Sequence, residues 1–296
     1  MSETSEKYTK ESRIRDVISD PVFEGYGRLL FPLQKNYMQG ATLGTLNLSW
    51  YSNIQPKETV EVVNYLYHRA AAGETIFYDI YTEEEKAAAP EKRDTGLFFF
   101  KGGAGAKFAV LCAGGGFRYV GAIHDSFPHS LALAKKGCNA FALIYRPGSD
   151  SSLKDLARAV AFVHENQGDL EVDAKGYSLW GGSAGARTAA MVGALGTAHF
   201  GEKSCPPPAA VIMQYTGFKD IYGSEPPTYS CVGSKDGIVL NRTMRERTEA
   251  IRARGKEAEI EVFDGLGHGF GLGTGTVAEG WIDRAVAFWE RQRKKH

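Results

Sequence analysis

The sequence predicts an α/β fold in which a mostly parallel sheet is covered by helices on both faces. Eight short apolar runs are separated by Gly, Pro and charged clusters, and from the third run onward helical patterns fall between several of them. Strands that alternate with helices are typical of parallel sheets buried on both faces. Because such sheets bind ligands at the carboxyl ends of their strands, we expect the chemistry to lie just after strands.

The predicted elements follow one another along the chain. The strands cover residues 75–80, 96–100, 107–112, 139–145, 178–180, 209–213, 229–232 and 258–263. The helices cover residues 57–72, 130–136, 153–166, 184–195, 242–254 and 279–294. Residues 1–20 are polar and predict a loose or helical arm, whereas residues 21–56 are too rich in aromatic side chains for a free linker. We therefore predict an N-terminal extension over 1–74, which packs on a main domain over 75–296 and could cover the functional site.

Composition argues against several classes of function. Lys plus Arg and Asp plus Glu each number 35, and a formal net charge of zero predicts no nucleic-acid surface and no basic membrane anchor. The sequence contains no run of about 18 apolar residues, so it predicts no membrane span. Its polar N-terminal residues do not resemble a secretory leader. The four cysteines are not spaced like metal ligands and predict buried free thiols. We expect a cytoplasmic protein without a metal or cofactor.

A Gly-x-Ser-x-Gly motif, Gly181 to Gly185, is the first candidate for chemistry. By itself the pattern is weak, since a Gly-rich turn with a capping serine also produces it. Its context strengthens it, because the apolar run 178–180 precedes it and the Ala-rich helical pattern 184–195 follows it. A strand, a tight turn and a helix are what a nucleophile elbow requires, and the helix N-terminus favours negative charge. Ser183 is therefore the predicted nucleophile.

Three consecutive glycines, residues 114–116, directly follow the apolar run 107–112. Their backbone N–H groups can approach a ligand closely, and acyl transfer needs such donors for the oxyanion of its tetrahedral intermediate. One donor is expected just after the nucleophile and the other on the loop after the third strand. We predict Ala184 as the first donor and Gly115 and Gly116 as the second site. A phosphate-binding loop is the alternative, but no Gly-Lys-Ser/Thr pattern follows.

The partners of the serine are predicted from chain order, which in this kind of site runs Ser, then acid, then His. Of the seven histidines, only His268 both follows Ser183 and lies just past a predicted strand, in a Gly-rich loop. Asp236 follows the strand before that one and would hold the imidazole in the required tautomer. Asp220 and Asp264 are the rival acids, although Asp264 is too close to His268 in sequence to reach the far side of the ring easily.

Taken together, the motifs resemble a known family. They are Ala113-Gly-Gly-Gly-Phe117, Gly181-Gly-Ser-Ala-Gly185, Gly233-Ser-Lys-Asp-Gly237 and Gly267-His-Gly-Phe-Gly271. In this order they are similar to bacterial esterases of the α/β-hydrolase fold, in the acetyl-esterase, acetyl-xylan-esterase-like and feruloyl-esterase-like groups, which are distant kin of hormone-sensitive-lipase-like proteins. The resemblance covers roughly residues 75–292. It departs at Ala113, where the lipase-like pattern has His, and this weakens any transfer of that group's substrates.

The resemblance implies an α/β-hydrolase catalytic domain over 75–296 and a serine carboxylesterase that acts on small or medium esters. Three alternatives stay open: an acetyl-sugar deacetylase, an amidase or peptidase on the same fold, and a binding protein without catalysis. Phe117, Tyr119 and Tyr215 are the predicted pocket walls. The acyl specificity, the assembly into a homo-oligomer and the role of residues 1–74 as a lid are left open by the sequence.

Overall fold

The computed structural model describes residues 6–295, so residues 1–5 of the predicted arm lie outside the described part. The strands are β1 (Met38–Gln39), β2 (Asn47–Leu48), β3 (Phe77–Tyr78), β4 (Gly96–Phe100), β5 (Ala106–Cys112), β6 (Asn139–Ile144), β7 (Val172–Gly182), β8 (Ala210–Gln214), β9 (Thr228–Gly233) and β10 (Ala258–Phe263). The helices are α1 (Ile14–Ile18), α2 (Pro56–Ala71), α3 (Glu83–Ala88), α4 (Ala122–Asp125), α5 (Phe127–Lys135), α6 (Ser149–Glu165), α7 (Ala184–Leu195), α8 (Asn241–Arg252) and α9 (Trp281–Arg293).

Within residues 6–295, eight strands form one sheet in the order β10-β9-β8-β7-β5-β6-β4-β3. Neighbouring strands from β10 to β6 run parallel, whereas β4 and β3 add an antiparallel edge. The short β1 and β2 pair with each other outside this sheet. The predicted α/β class with a mostly parallel, eight-stranded sheet is confirmed.

Helices cover both faces of the sheet because successive strands are added first on one side of β5 and then on the other. The crossover through α5 leads from β5 to β6, and the crossover through α6 leads back past β5 to β7. Right-handed crossovers that run in opposite directions place their helices on opposite faces. On one face the rings of His129 in α5 and Trp281 in α9 lie 5.6 Å apart. On the other, the hydroxyls of Ser152 in α6 and Thr188 in α7 lie 3.0 Å apart.

Two strands differ in length from their predictions. Strand β7 begins well before the predicted run 178–180, and its first half contains Asp173, Lys175 and Gly176. These residues are only partly buried or exposed, so the apolar pattern marks only the buried second half of the strand. Strand β3 is shorter than the predicted run 75–80, because only two of its residues pair with β4 at the edge of the sheet.

The extension packs on the main domain through aromatic and charged contacts. The ring of Tyr26 stacks on that of Phe77 with their centroids 5.1 Å apart. The guanidinium of Arg28 pairs with Asp94 at 2.9 Å. These contacts confirm the expected packing, while the division of the chain at residue 74 stays a prediction.

The register of the strands fixes where the candidate site forms. Cys112 at the end of β5 lies beside Gly181 in β7, and Gly182 lies beside Gln214 in β8. The loops after three neighbouring parallel strands therefore meet at one edge of the sheet, as expected for ligand binding in such folds. No helix within residues 6–295 is long and apolar enough to cross a membrane.

Candidate active site

Ser183 lies at the turn between β7, which ends at Gly182, and α7, which begins at Ala184. Its φ of 50° and ψ of −115° belong to a region that residues other than glycine rarely adopt. The turn is crowded, because a Cβ atom at Gly185 would lie 2.1 Å from the carbonyl oxygen of Cys112. This strained strand–turn–helix geometry is that of the nucleophile elbow predicted from the motif.

His268 and Asp236 form a hydrogen-bonded chain with Ser183. The Nε2 atom of His268 lies 3.1 Å from Oγ of Ser183, and its Nδ1 atom lies 2.7 Å from Oδ2 of Asp236. The other carboxylate oxygen, Oδ1, accepts the N–H groups of Ile238 and Val239 at 2.8 and 2.9 Å. An Nδ1–H donated to the carboxylate leaves Nε2 as the acceptor for the serine hydroxyl. The structure therefore brings together the three side chains that chain order singled out.

The two rival acids occupy other places. Asp264 accepts the hydroxyl of Ser234 at 2.9 Å. Asp220 is exposed to solvent after β8. Among the described residues neither of them bonds to His268, so Asp236 is the acid that the geometry favours.

The Gly-rich loop lies directly against the serine. A Cβ atom at Gly114 would come within 2.8 Å of the Cβ atom of Ser183, so no side chain fits between them. The backbone N–H groups of Gly115, Gly116 and Ala184 meet no acceptor among residues 6–295. Free amides next to a nucleophile are what an oxyanion requires, and these three were the predicted donors.

Residues 103–252 match the family model described as BD-FAE, which is 150 of the 296 residues. The chain belongs to the BD-FAE family. The matched segment contains the Gly-rich loop, Ser183 and Asp236, and it ends before His268. Membership agrees with the resemblance to feruloyl-esterase-like and acetyl-esterase-like proteins and with the predicted carboxylesterase activity.

The BD-FAE protein is similar in structure to bacterial esterases. An acetyl ester-xyloside bifunctional hydrolase from Caldicellulosiruptor lactoaceticus is 20% identical, with a TM-score of 0.63 over 73% of this chain and 95% of that chain. The propionate-bound thermophilic esterase Est2 of the planctomycete Thermogutta terrifontis is 21% identical, with a TM-score of 0.59 over 67% of this chain and 89% of that chain. At such identities the likeness shows the fold, and it confirms the α/β-hydrolase prediction. No curated protein matches the sequence.

Ser183 of the BD-FAE protein opens into a cleft of about 370 Å³. Phe117 and Phe218 supply apolar walls, and Arg187 and Lys219 supply positive charge. A second cavity of about 220 Å³ lies elsewhere, between the extension and the end of β6, and none of its walls comes from the Ser–His–Asp chain. The cleft beside Ser183, and not this second cavity, therefore adjoins the Ser–His–Asp chain.

Of the three predicted pocket walls, only Phe117 lines this cleft. Tyr119 and Tyr215 are fully buried. Tyr119 donates its hydroxyl to the carbonyl oxygen of Ser49 at 2.5 Å, and the ring of Tyr215 lies 5.0 Å from that of His268. The assignment of both tyrosines to the pocket wall is corrected accordingly, because each buries its ring in the core and satisfies its hydroxyl there.

Asp125, which the sequence motifs did not single out, is a buried carboxylate behind the site. Its Oδ2 atom accepts the N–H of Gly114 at 2.6 Å and the hydroxyl of Tyr51 at 2.9 Å, and its Oδ1 atom accepts the hydroxyl of Tyr215. Burial raises the pKa of Asp125 to about 6, although these hydrogen bonds favour the ionised form. The signal in the sequence is an acid among apolar residues just after the Gly-rich loop, but nothing there shows its partners.

The extension braces the loop that carries His268. The hydroxyl of Ser52 donates to the carbonyl oxygen of His268 at 2.7 Å, and the N–H of Ser52 donates to that of Gly269 at 3.1 Å. The Nε2 atom of His124 lies 3.0 Å from the Gly269 carbonyl. Because burial lowers the pKa of His124 to about 4, this imidazole is neutral at pH 7 and donates a single N–H there. His124 therefore supports the loop from behind.

Among residues 6–295, no group of three or more His, Cys, Asp or Glu side chains is arranged to hold a metal ion. The four cysteines are free, and Cys112, Cys138 and Cys231 are buried. Burial raises the pKa of each of these three thiols, so they stay protonated at neutral pH.

Proposed function

We propose that this BD-FAE protein is a serine carboxylesterase that hydrolyses small or medium carboxylic esters through an acyl-enzyme on Ser183. The observation that carries the proposal is the chain from Ser183 Oγ through His268 to Asp236, with links of 3.1 and 2.7 Å. It lies beside three backbone N–H groups without an acceptor among residues 6–295. A positioned nucleophile, its base and an oxyanion site are the parts that acyl transfer requires.

In the first half of the reaction, Ser183 Oγ attacks the ester carbonyl carbon while its proton passes to Nε2 of His268. The carbonyl oxygen becomes an oxyanion, which the N–H groups of Gly115, Gly116 and Ala184 stabilise. Asp236 stabilises the imidazolium that forms on His268. The intermediate then collapses, His268 returns the proton to the leaving alcohol, and the acyl group stays on Ser183.

In the second half, water replaces the alcohol in the cleft. His268 takes a proton from this water as its oxygen attacks the acyl carbon, and the same N–H groups hold the second oxyanion. Collapse of the intermediate returns the proton to Ser183 and releases the carboxylic acid. Electrons and protons therefore balance with water as the sole co-reactant, and no metal or cofactor is needed.

Features of the relatives support an ester as the substrate. The Thermogutta terrifontis relative is named an esterase. A structure of that relative phosphonylated by cyclosarin is 20% identical to this chain, with a TM-score of 0.52 over 67% of this chain and 86% of that chain. The acetyl ester-xyloside hydrolase of Caldicellulosiruptor lactoaceticus favours acetyl-sugar deacetylation as the second candidate. An amidase and a binding protein without catalysis remain to be separated from both by experiment.

We further propose that residues 75–296 form the catalytic domain and that the extension over 1–74 supports this domain. The bonds from Ser52 to the loop of His268 favour such a role. The free cysteines support a cytoplasmic location, where thiols stay reduced.

The test uses the full chain with a fluorophosphonate probe and a series of p-nitrophenyl esters from two to twelve carbons. We expect labelling and ester hydrolysis by the wild type and neither by Ser183→Ala, while exposed Ser19→Ala serves as the matched control. Acetylated xylan oligomers and an aminoacyl anilide run beside the esters. Release of acetate with a sharp cutoff at two carbons would favour the deacetylase, and faster anilide turnover would favour the amidase. Absence of both labelling and turnover would refute the proposal that the protein is an enzyme.

A further inference from the structure

The cleft beside Ser183 contains a guanidinium that has no carboxylate partner in the described part of the chain. Arg187 lines the cleft, is partly buried and forms neither an ion pair nor a side-chain hydrogen bond among residues 6–295. Other partly buried arginines of this chain are paired. Arg146 contacts Asp155 at 2.6 Å, and Arg158 lies 3.3 Å from Glu202. The five N–H donors of Arg187 are thus left for a ligand or for water.

The chain holds this charge close to the reacting group. Arg187 follows Ser183 by four residues in the first turn of α7, its backbone N–H donates to the carbonyl oxygen of Ser183 at 3.4 Å, and both residues line the cleft. The guanidinium carbon lies 5.5 Å from the ring centroid of Phe117, which also lines the cleft. That packing holds the planar group at the wall of the cleft without neutralising it.

The rest of the cleft adds to the positive charge. Lys219 also lines the cleft and forms no ion pair in the described part of the chain. Among the described residues that line the cleft, Asp220 is the one acid. A cleft with an excess of one sign of charge attracts ligands of the other sign.

We propose, on the basis of the proposed esterase activity, that the preferred substrates are esters that carry a second, anionic group, and that Arg187 binds it. Arginine matches a carboxylate in geometry, since its planar fork can donate two parallel hydrogen bonds. A half-ester of a short dicarboxylic acid would place its free carboxylate on the acyl side of the cleft. An ester of a hydroxy acid would place it on the alcohol side.

Two pairs of esters separate these sources. Monomethyl succinate is compared with methyl butyrate for the acyl side, and 4-(butyryloxy)benzoate is compared with 4-(butyryloxy)benzamide for the alcohol side. In each pair the ratio of kcat/KM for the charged ester to that for the neutral one is the readout. We expect this ratio in at least one pair to fall about tenfold in Arg187→Met. The ratio for Arg187→Lys should lie between those for Arg187→Met and the wild type, because lysine keeps the charge but lacks the planar fork.

Exposed Arg245 on α8, which also lacks an ion pair in the described part of the chain, supplies the matched control. Arg245→Met removes the same charge away from the cleft and should leave both ratios unchanged. Turnover of the neutral esters with ratios that Arg187→Met does not change would overturn the anionic preference and leave the esterase standing. Failure to hydrolyse any of the four esters, with no labelling by the fluorophosphonate probe, would overturn both.

Discussion

The carboxylate of Asp125 accepts the backbone N–H of Gly114 at 2.6 Å from behind the Gly-rich loop. Gly114 directly precedes Gly115 and Gly116, so this bond fixes the orientation of the peptide that leads into the proposed oxyanion donors. The same carboxylate also accepts the hydroxyl of Tyr215, whose ring lies against His268. One buried acid therefore connects the two sides of the site.

The first prediction concerns the pH dependence of stability. The pKa of Asp125 is raised from 3.8 to about 6. An acid whose pKa rises on folding contributes stability that is fully present below its unfolded pKa and is lost as the pH rises through the folded pKa. Relative to Asp125→Asn, the wild type should therefore lose about 2–3 kcal/mol of unfolding free energy between pH 4 and pH 7.

Urea unfolding at several pH values in this window measures the effect. The asparagine variant has its own fixed cost, because an amide replaces one acceptor oxygen, so the slope with pH is the readout and the offset is not. Exposed Asp264→Asn serves as the control and should follow the wild type. Parallel curves for the wild type and Asp125→Asn would show that Asp125 does not titrate in this range.

The contrast between Ser183 and Asp125 shows how far the sequence reaches. Ser183, Asp236 and His268 could be chosen from the sequence because each follows a strand at a place where this fold puts chemistry. The partners of Asp125 come from residues 51, 114 and 215, which only tertiary packing brings together. Local patterns predict strands and turns, but they do not predict which side chains far apart in sequence come into contact.

Tyr119 and Tyr215 show that the sequence also does not predict which way a side chain near the site turns. Tyr119 lies next to the Gly-rich loop in sequence, and Tyr215 follows a strand at the edge where the site forms. Both positions suit a pocket wall, yet both rings are buried. Which side of a loop turns inward depends on its backbone: Phe117, for example, has a φ of 59° and lines the cleft. The sequence alone does not indicate that turn.

The second prediction compares Asp236 with Asp220, one of the two rival acids, in the proposed role beside His268. In Asp236→Asn the amide cannot hold the Nδ1–H tautomer of His268, so we expect kcat to fall about 10⁴-fold with a small change in KM. Asp220→Asn removes an acid that lines the cleft but does not bond to His268. Its kcat toward a neutral ester should stay within a few-fold of the wild type. The reverse order of these two effects would assign the role to Asp220.

The third prediction tests the brace from the extension. Ser52→Ala removes the hydroxyl that bonds the His268 carbonyl at 2.7 Å, leaving that carbonyl without this donor. We expect a loss of about 1 kcal/mol of unfolding free energy, with a few-fold lower kcat because the His268 loop is held less firmly. Urea unfolding and ester kinetics measure the two effects, with Ser19→Ala as the exposed control. A loss of stability at unchanged kcat would limit Ser52 to a role in folding.

The fourth prediction concerns the close approach at the nucleophile elbow. A Cβ atom at Gly185 would lie 2.1 Å from the carbonyl oxygen of Cys112, a backbone atom at the end of β5. Since neither strand nor helix can shift without disturbing Ser183, Gly185→Ala should cost about 3 kcal/mol or more and lower the yield of folded protein. Gly168→Ala is the matched control, because a Cβ atom there meets no atom within 4 Å.

Gly168 lies between α6 and β7, far along the chain from the elbow, and its substitution should change stability by less than about 0.5 kcal/mol. Thermal unfolding and the rate of fluorophosphonate labelling are measured on both variants. If Gly185→Ala folds with wild-type stability but labels slowly, the glycine serves the geometry of Ser183 and not the packing. If it also labels at the wild-type rate, the turn accommodates a Cβ atom at residue 185. The close approach to the Cys112 carbonyl oxygen would then not explain why this position is glycine.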